Sequence, residues 1–326
     1  MKVSLIIPVY NAEKTLPATL ESIRSQSFRD FEVVFSEDAG SDGSLALLEA
    51  FCAGSGLPCK LLRAEKNQGA AAARNRALDV AEGEYLAFAD ADDLLDPAML
   101  EHAVAAIGTP DGPADIVGWD WTLGLTRDGR YMRQADYGTP QEALQVLTGG
   151  AARWNLWLFL VRRGLVERHG IRFVPGADLG EDMQFMLRAF LFADCTVQIH
   201  ESLYRYNAVS ETSISRSFTM AKRAQIEKNL TEFAHDFAHA PYGVEHPQAI
   251  TELKLYLKRP LLISPNRSDY ETWYSWFPEV NAHATEGASL PRHTRILQGM
   301  ASRRWWTGVK LYYLLVHRFV YGLLYR

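Results

Sequence analysis

Short apolar runs alternate with helical patterns along the first hundred residues. Val3 to Val9 is a β-rich run, and after it Leu16, Leu20 and Ile23 fall on one helix face, with Asn11 placed to cap that helix. Phe31 to Phe35 is a second run, and Ser41-Asp42-Gly43-Ser44 leads into a helical stretch carrying Leu45, Leu48 and Phe51. Lys60 to Arg63 is a third, weaker run. Ala70 to Ala81 is rich in strong helix formers, and Gly83 stands where a C-cap belongs. Tyr85 to Ala89 is a fourth run, ending abruptly in Asp90-Ala91-Asp92-Asp93. Strands separated by helices predict βα units and a mostly parallel sheet flanked by helices, an α/β fold.

That order says where chemistry belongs, because ligands of open α/β sheets bind beyond the carboxyl ends of the strands. The segments Pro8 to Asn11, Ser36 to Ser41, Asn67 to Gly69 and Asp90 to Asp93 are expected to face one crevice. Past residue 110 the pattern changes at the turn-rich Thr109-Pro110-Asp111-Gly112-Pro113. Ile116 to Trp121 reads as another strand and Trp154 to Arg162 as an aromatic, apolar run. Residues 183 to 192 read as helix after the loop Pro175 to Asp182, and 220 to 260 as helix broken by Pro241 and Pro247.

Composition narrows the class. The chain has 326 residues, 48% hydrophobic and 22% charged, which suits a folded globular protein rather than a disordered or collagen-like one. Cys52, Cys59 and Cys195 are odd in number and lack zinc-ligand spacing, so they read as reduced packing residues of a cytoplasmic protein. The first residues are too short and strand-like for a secretory signal, and no apolar stretch reaches the ~18 residues of a spanning helix. The formal net charge of −5 offers no general case for nucleic-acid binding, but it is unevenly spread. Residues 1 to 100 carry nine basic and sixteen acidic side chains, whereas 287 to 326 carry seven basic and no acidic ones.

Asp90, Asp92 and Asp93 crowd three carboxylates after a strand, which raises their pKa values unless a cation or hydrogen-bond donors compensate. Hard oxygen ligands suit Mg²⁺ or Mn²⁺; a solvated acidic turn opening the next helix is the plainer alternative. Glu37-Asp38 is either an acceptor for a ligand N–H or hydroxyl, or a helix-entry loop beside Asp42. Arg74 sits near the start of its helix, facing a phosphate or base, or lying on the surface.

Together these segments resemble a known family. Ser4-Leu-Ile-Ile-Pro-Val-Tyr-Asn11, Ser36-Glu-Asp-Ala-Gly-Ser-Asp-Gly-Ser44, Asn67-Gln-Gly with Ala73-Arg-Asn75, and Gly83-Glu-Tyr-Leu-Ala-Phe-Ala-Asp-Ala-Asp-Asp93 are similar to successive signatures of family 2 glycosyltransferases of the GT-A fold. The resemblance is dense over residues 3 to 100. It continues more thinly in Trp157 to Arg162, Gly180-Glu-Asp-Met-Gln-Phe185, Tyr204-Arg-Tyr206 and Ser213-Ile-Ser215. It implies a catalytic domain over 1–218 and a helical C-terminal region over 219–326. It also implies that Pro8, Val9 and Tyr10 contact the uracil of a nucleotide-sugar donor, that Asp38 hydrogen-bonds the base, and that Arg74 contacts the nucleotide. Asp90 would lie near the ribose, and Asp92 would be the metal ligand for Mg²⁺ or Mn²⁺. In Glu181-Asp182, Asp182 matches the catalytic base, with Glu181 beside it. The usual Asp-Asp-Gly-Ser is here Glu37-Asp38-Ala39-Gly40, which keeps the Asp but leaves base specificity open.

The implied activity is metal-dependent, inverting sugar transfer from a UDP-sugar to a saccharide or lipid-linked saccharide, in making bacterial cell-surface polysaccharide. On spacing alone, Asp182 is favoured as the N-cap of the helix holding Met183, Phe185 and Leu187, a role that can coexist with that of base. Arg205, Tyr206, Ser213, Ser215 and Arg216 suit a lid over the diphosphate or a plain surface loop. The 303–326 tail mixes Trp305, Trp306, Tyr312 and Tyr313 with Lys310 and Arg318, which suits an anionic membrane surface on the inner face of the cell. The alternative is a helix packed on the catalytic domain or on a second copy in a homo-oligomer. Two other functions remain: a nucleotidyltransferase, against which Tyr10-Asn11-Ala12-Glu13 replaces a Gly-rich phosphate loop, and a binding protein with a decayed site.

Overall fold

A computed structural model describes residues 1–110, 112–126, 128–207, 219–286 and 292–316. Residues Ser213, Ser215 and Arg216 of the expected lid, and 317–326 of the tail, lie outside the described residues.

The predicted βα alternation is present. β1 (Val3–Val9), β2 (Phe31–Glu37), β3 (Cys59–Arg63) and β4 (Tyr85–Phe88) follow one another with α1 (Leu16–Arg24), α2 (Ser44–Gly54) and α3 (Ala70–Leu78) between them. β1 pairs in parallel with β2 and β4, and β2 with β3, so their carboxyl ends lie along one edge. All of β2 and six of the seven residues of β1 are buried, as strands covered on both faces must be.

Two local expectations change. Asn11 does not cap α1: it adopts φ +48° and its side-chain oxygen accepts the Ser41 N–H at 2.8 Å, tying the first loop to the second. α3 ends at Leu78, before Gly83. Gly83 instead lies against β1, where a Cβ would sit 2.3 Å from the Ser4 nitrogen.

The second half extends the sheet. After β5 (Leu94–Leu95), α4 (Met99–Ala105) and the small hairpin of β6 (Gly108–Thr109) and β7 (Gly112–Pro113) come β8 (Ile116–Leu123), β9 (Arg130–Met132) and α5 (Pro140–Thr148). β10 (Phe159–Arg162), α6 (Arg163–Arg168), α7 (Glu181–Phe192), β11 (Thr196–Tyr206) and α8 (Met220–His239) follow. The strand order is β3-β2-β1-β4-β10-β8-β11-β5, with β9 on β8. β10 runs antiparallel between β4 and β8, so the sheet is mixed at its centre.

Aromatic packing sets where α7 begins. Phe185 stacks on Phe173 with centroids 4.6 Å apart and meets Phe88 of β4 edge-on at 5.5 Å. Such pairs stabilise by ~0.5–1.5 kcal/mol beyond the area they bury. They place the N-terminus of α7 beside the end of β4, where the acidic loop leaves the sheet.

The chain divides into two compact units, one of residues 1–144 and 153–240, the other of 145–152 and 241–326. The first continues through α8, past the expected boundary at 218. The second holds α9 (Pro241–Glu245), α10 (Gln248–Lys258), α11 (Arg267–Ser275), α12 (Arg292–Ser302) and α13 (Trp306–Tyr312). Its buried Lys258 ammonium lies 4.0 Å from the Trp273 ring centroid and donates to the Trp276 and Phe277 carbonyls, which offset its loss of water. Among the described residues no helix is long and apolar enough to cross a membrane.

Candidate active site

Four loops converge at the carboxyl ends of β1 to β4. In the first, Val9 is buried and its carbonyl accepts the Asp38 N–H, while Tyr10 is 52% exposed and presents its ring outward. Pro8 is partly buried beside it.

Asp38 is 2% exposed. Its carboxylate accepts the N–H groups of Gln68 and Gly69 at 2.9 and 2.7 Å and pairs with Arg76 at 2.7 Å. It thereby fastens the second loop to the third. Glu37 accepts the Gly40 N–H at 2.6 Å, closing a turn in which Ala39 takes φ +57°. That is the departure from the family pattern, since Gly would hold this backbone without strain.

The amides at the start of α3 are already used. Asp178 accepts the Ala71 N–H at 2.8 Å, and Asp38 takes those of Gln68 and Gly69, so carboxylates occupy the positions a phosphate would need. Gly69, at φ +89°, is required here: a Cβ would lie 2.1 Å from Asp178. Asp178 and Arg76 carry no sequence signal that separates them from ordinary polar loop and helix residues.

Arg74 points inward, only 5% exposed, which removes the surface reading. Its guanidinium reaches Asp90 at 3.0 Å, Glu181 at 2.8 Å and Asp182 at 3.5 Å. One cation therefore joins the acidic loop after β4 to the first turn of α7. Those carboxylates raise its pKa against the opposing effect of burial.

In the acidic loop the three carboxylates separate. Asp90 is 33% exposed and Asp92 partly exposed, whereas Asp93 is fully buried, accepting the Asn207 N–H at 2.7 Å and the Tyr204 hydroxyl at 2.9 Å. Burial, with Asp90 and Asp92 close by, pushes the Asp93 carboxyl well above the usual range. Among the described residues no group of three or more His, Cys, Asp or Glu side chains is arranged to hold a metal ion. Two carboxylates on one turn nevertheless match Mg²⁺ or Mn²⁺, which takes one or two from protein and the rest from phosphate and water.

Asp182 is not an N-cap. Gly180 occupies that position at φ +82°, no side chain caps the helix, and Glu181 and Asp182 fill the first turn where the helix dipole favours negative charge. Asp182 Oδ2 lies 3.5 Å from the Leu156 N–H, and Oδ1 is buried with no hydrogen-bond partner, facing Arg74. Burial pushes Glu181 up to about 8, with Asp182 adding to the rise and Arg74 opposing it. Burial also raises Asp182, and there Arg74 is the largest opposing influence.

The site is thus a largely buried Glu181-Asp182 pair joined through Arg74 to a partly exposed acidic loop. The model of the family "Glycosyl transferase family 2" matches residues 4–173, and the chain belongs to that family. Among its relatives, the putative glycosyltransferase EpsE of Bacillus subtilis is 40% identical over 218 residues, covering 67% of this chain and 77% of EpsE. The putative glycosyltransferase EpsH of the same organism is 30% identical over 221 residues, covering 66% of this chain; the chain spans 63% of the length of EpsH. The crystal structure of S. aureus TarS 1–349 in complex with UDP-GlcNAc superposes with a TM-score of 0.72 at 21% identity, covering 96% of this chain and 91% of that one. The fold is thus the GT-A fold that the sequence motifs implied.

Proposed function

We propose that the protein transfers a sugar from a nucleotide-sugar, UDP-linked, to a saccharide or lipid-linked saccharide acceptor, with inversion, in cell-surface polysaccharide synthesis. The observation that carries this reading is Arg74 spanning Asp90, Glu181 and Asp182, which puts a donor-facing loop and a base within one side chain's reach. TarS, which shares the fold, was solved with UDP-GlcNAc, and that supports a UDP-sugar donor.

In this mechanism the Asp182 carboxylate, held beside Arg74, accepts the proton of the acceptor hydroxyl. The acceptor oxygen bonds to the anomeric carbon as the bond to the diphosphate breaks on the opposite face, so the configuration inverts. Burial pushes Glu181 up to about 8 and raises Asp182 too, so the pair takes up a proton more readily than exposed carboxylates do, with Arg74 facing both. Pro8, Val9 and the exposed Tyr10 ring receive the base; Asp38, expected to hydrogen-bond it, has its carboxylate on Gln68, Gly69 and Arg76 and so shapes the loop around it. Asp92, with Asp90 beside it, would hold Mg²⁺ or Mn²⁺. Such an ion stabilises charge on the departing diphosphate.

The second unit suits a peripheral position on an anionic membrane. Trp305, Leu311, Leu314 and Leu315 are exposed among the exposed Arg303, Arg304 and Lys310, and no acid lies between 292 and 316.

The test is a screen of UDP-sugars with Mn²⁺ for thermal stabilisation and for sugar transfer. A ligand at a hundred times its Kd stabilises by ~2.7 kcal/mol, which such a screen detects. Asp182→Asn is expected to lose transfer by ~10³-fold or more while binding UDP as the wild type does. Asp92→Ala is expected to lose the metal-dependent part of binding. Full transfer by Asp182→Asn removes Asp182 as the base, and no response to any nucleotide-sugar removes the whole reading.

A further inference from the structure

Tyr204 lies behind the acidic loop, on β11, where its residue pairs with Leu95 of β5 and Trp121 of β8. It is fully buried, yet its hydroxyl is not idle. The oxygen accepts the Asp90 N–H at 3.1 Å and donates its proton to Asp93 Oδ2 at 2.9 Å. The other Asp93 oxygen accepts the Asn207 N–H at 2.7 Å, just past the end of β11. From the opposite side the loop is held by α1 and the residue before it: Thr15 and Thr19 donate to the Ala91 carbonyl at 3.1 Å each, and Thr19 also to the Asp93 carbonyl at 2.9 Å. The backbone of residues 90–93 is thus gripped on both sides; Asp93 is held inward, while Asp90, its carboxylate on Arg74, and Asp92 stay partly exposed.

The same ring leans on the segment that braces the candidate base. It stacks on Trp157 with centroids 4.6 Å apart and planes within 9°, and the preceding residue, Leu156, directs its N–H at Asp182. A phenylalanine would fill the same volume and keep the stack. The hydroxyl adds only the two contacts to the loop, accepting from Asp90 and donating to Asp93.

We propose that Tyr204 is a positioning residue for sugar transfer: its hydroxyl fixes the Asp90–Asp93 loop in the conformation that presents Asp90 and Asp92 to the donor diphosphate. This rests on the reading of that loop as the donor site. Asp93, its partner, works from the interior of the loop rather than as a ligand.

Tyr204→Phe separates this role from general packing. It is expected to raise the calorimetric Kd for UDP in Mn²⁺ and the KM for the donor by ~tenfold, with the acceptor KM unchanged. Thr19→Val, which frees the loop from the other side, is expected to give the same signature. Tyr270→Phe is the control, since it removes a buried hydroxyl bonded to the Ser264 carbonyl in the second unit and is expected to leave UDP binding unchanged. Wild-type values within twofold for both Tyr204→Phe and Thr19→Val would overturn the assignment. A wild-type protein that binds no nucleotide at all overturns the donor reading itself, and the positioning role with it.

Discussion

Glu181 and Asp182 are neighbours in sequence, both largely buried, and one guanidinium lies among them and Asp90. A proton on Glu181 relieves the crowding, and this has a consequence for stability. Folding raises Glu181 from 4.5 to about 8, so between those values the folded protein keeps a proton that the unfolded chain releases. Stability should therefore fall as pH rises from about 4.5 to 8 through this group. Glu181→Gln cannot release the proton, and denaturant titrations are expected to show a flatter pH profile over that range. An unchanged slope would place the proton elsewhere. At this scale the sequence was only partly legible. Asp90 and Asp92 stood out by type and spacing and Asp182 only through the family resemblance, but Asp93 is as acidic as its neighbours, and nothing in the string says that it alone turns inward. Arg74 was recognisable as important, yet its three carboxylate partners are 16 to 108 positions away and meet only through the fold.

The elements that carry these residues were more legible, because hydrophobic periodicity reports burial directly. β1 matches its apolar run residue for residue, and Pro241 and Pro247 mark breaks between helices as expected. What periodicity missed were ends and directions. The aromatic, apolar run Trp154 to Arg162 holds β10, but that it forms a strand, antiparallel between β4 and β8, depends on tertiary pairing. Gly83 looked like a helix terminator because close packing on Ser4 leaves no local trace. The seating of α7 gives a test of how an element positions chemistry. Phe185→Leu keeps the volume roughly but loses the ring contacts to Phe173 and Phe88, costing about 1 kcal/mol. Phe51→Leu on α2 loses a comparable edge-on contact to Phe35, away from the acidic cluster. Both variants are expected to lose similar stability, but only Phe185→Leu should lower kcat, with UDP affinity intact. Equal kcat values would mean that α7 does not need this seating to place Asp182.

Across the whole molecule, a net charge of −5 conceals an acidic first hundred residues and a second unit whose last described helices carry only basic charge. In that unit Trp306 and Val309 are buried while Trp305, 60% exposed, and Leu311 and Leu315, each 56% exposed, face outward beside Arg303, Arg304 and Lys310. Interfacial aromatic and aliphatic side chains gain from burial at headgroup depth, and each Lys or Arg near an anionic surface adds ~1 kcal/mol. The protein is expected to sediment with anionic lipid vesicles at low ionic strength and poorly with neutral ones. Raising salt should weaken the interaction, since charges are screened beyond ~10 Å at 0.1 M. Trp305→Ser with Leu311→Ser and Leu315→Ser alters exposed positions and should abolish sedimentation without changing UDP binding. If that triple variant sediments as the wild type does, these side chains do not meet lipid. If instead it abolishes a concentration-dependent self-association seen without vesicles, the surface belongs to a second copy of the chain.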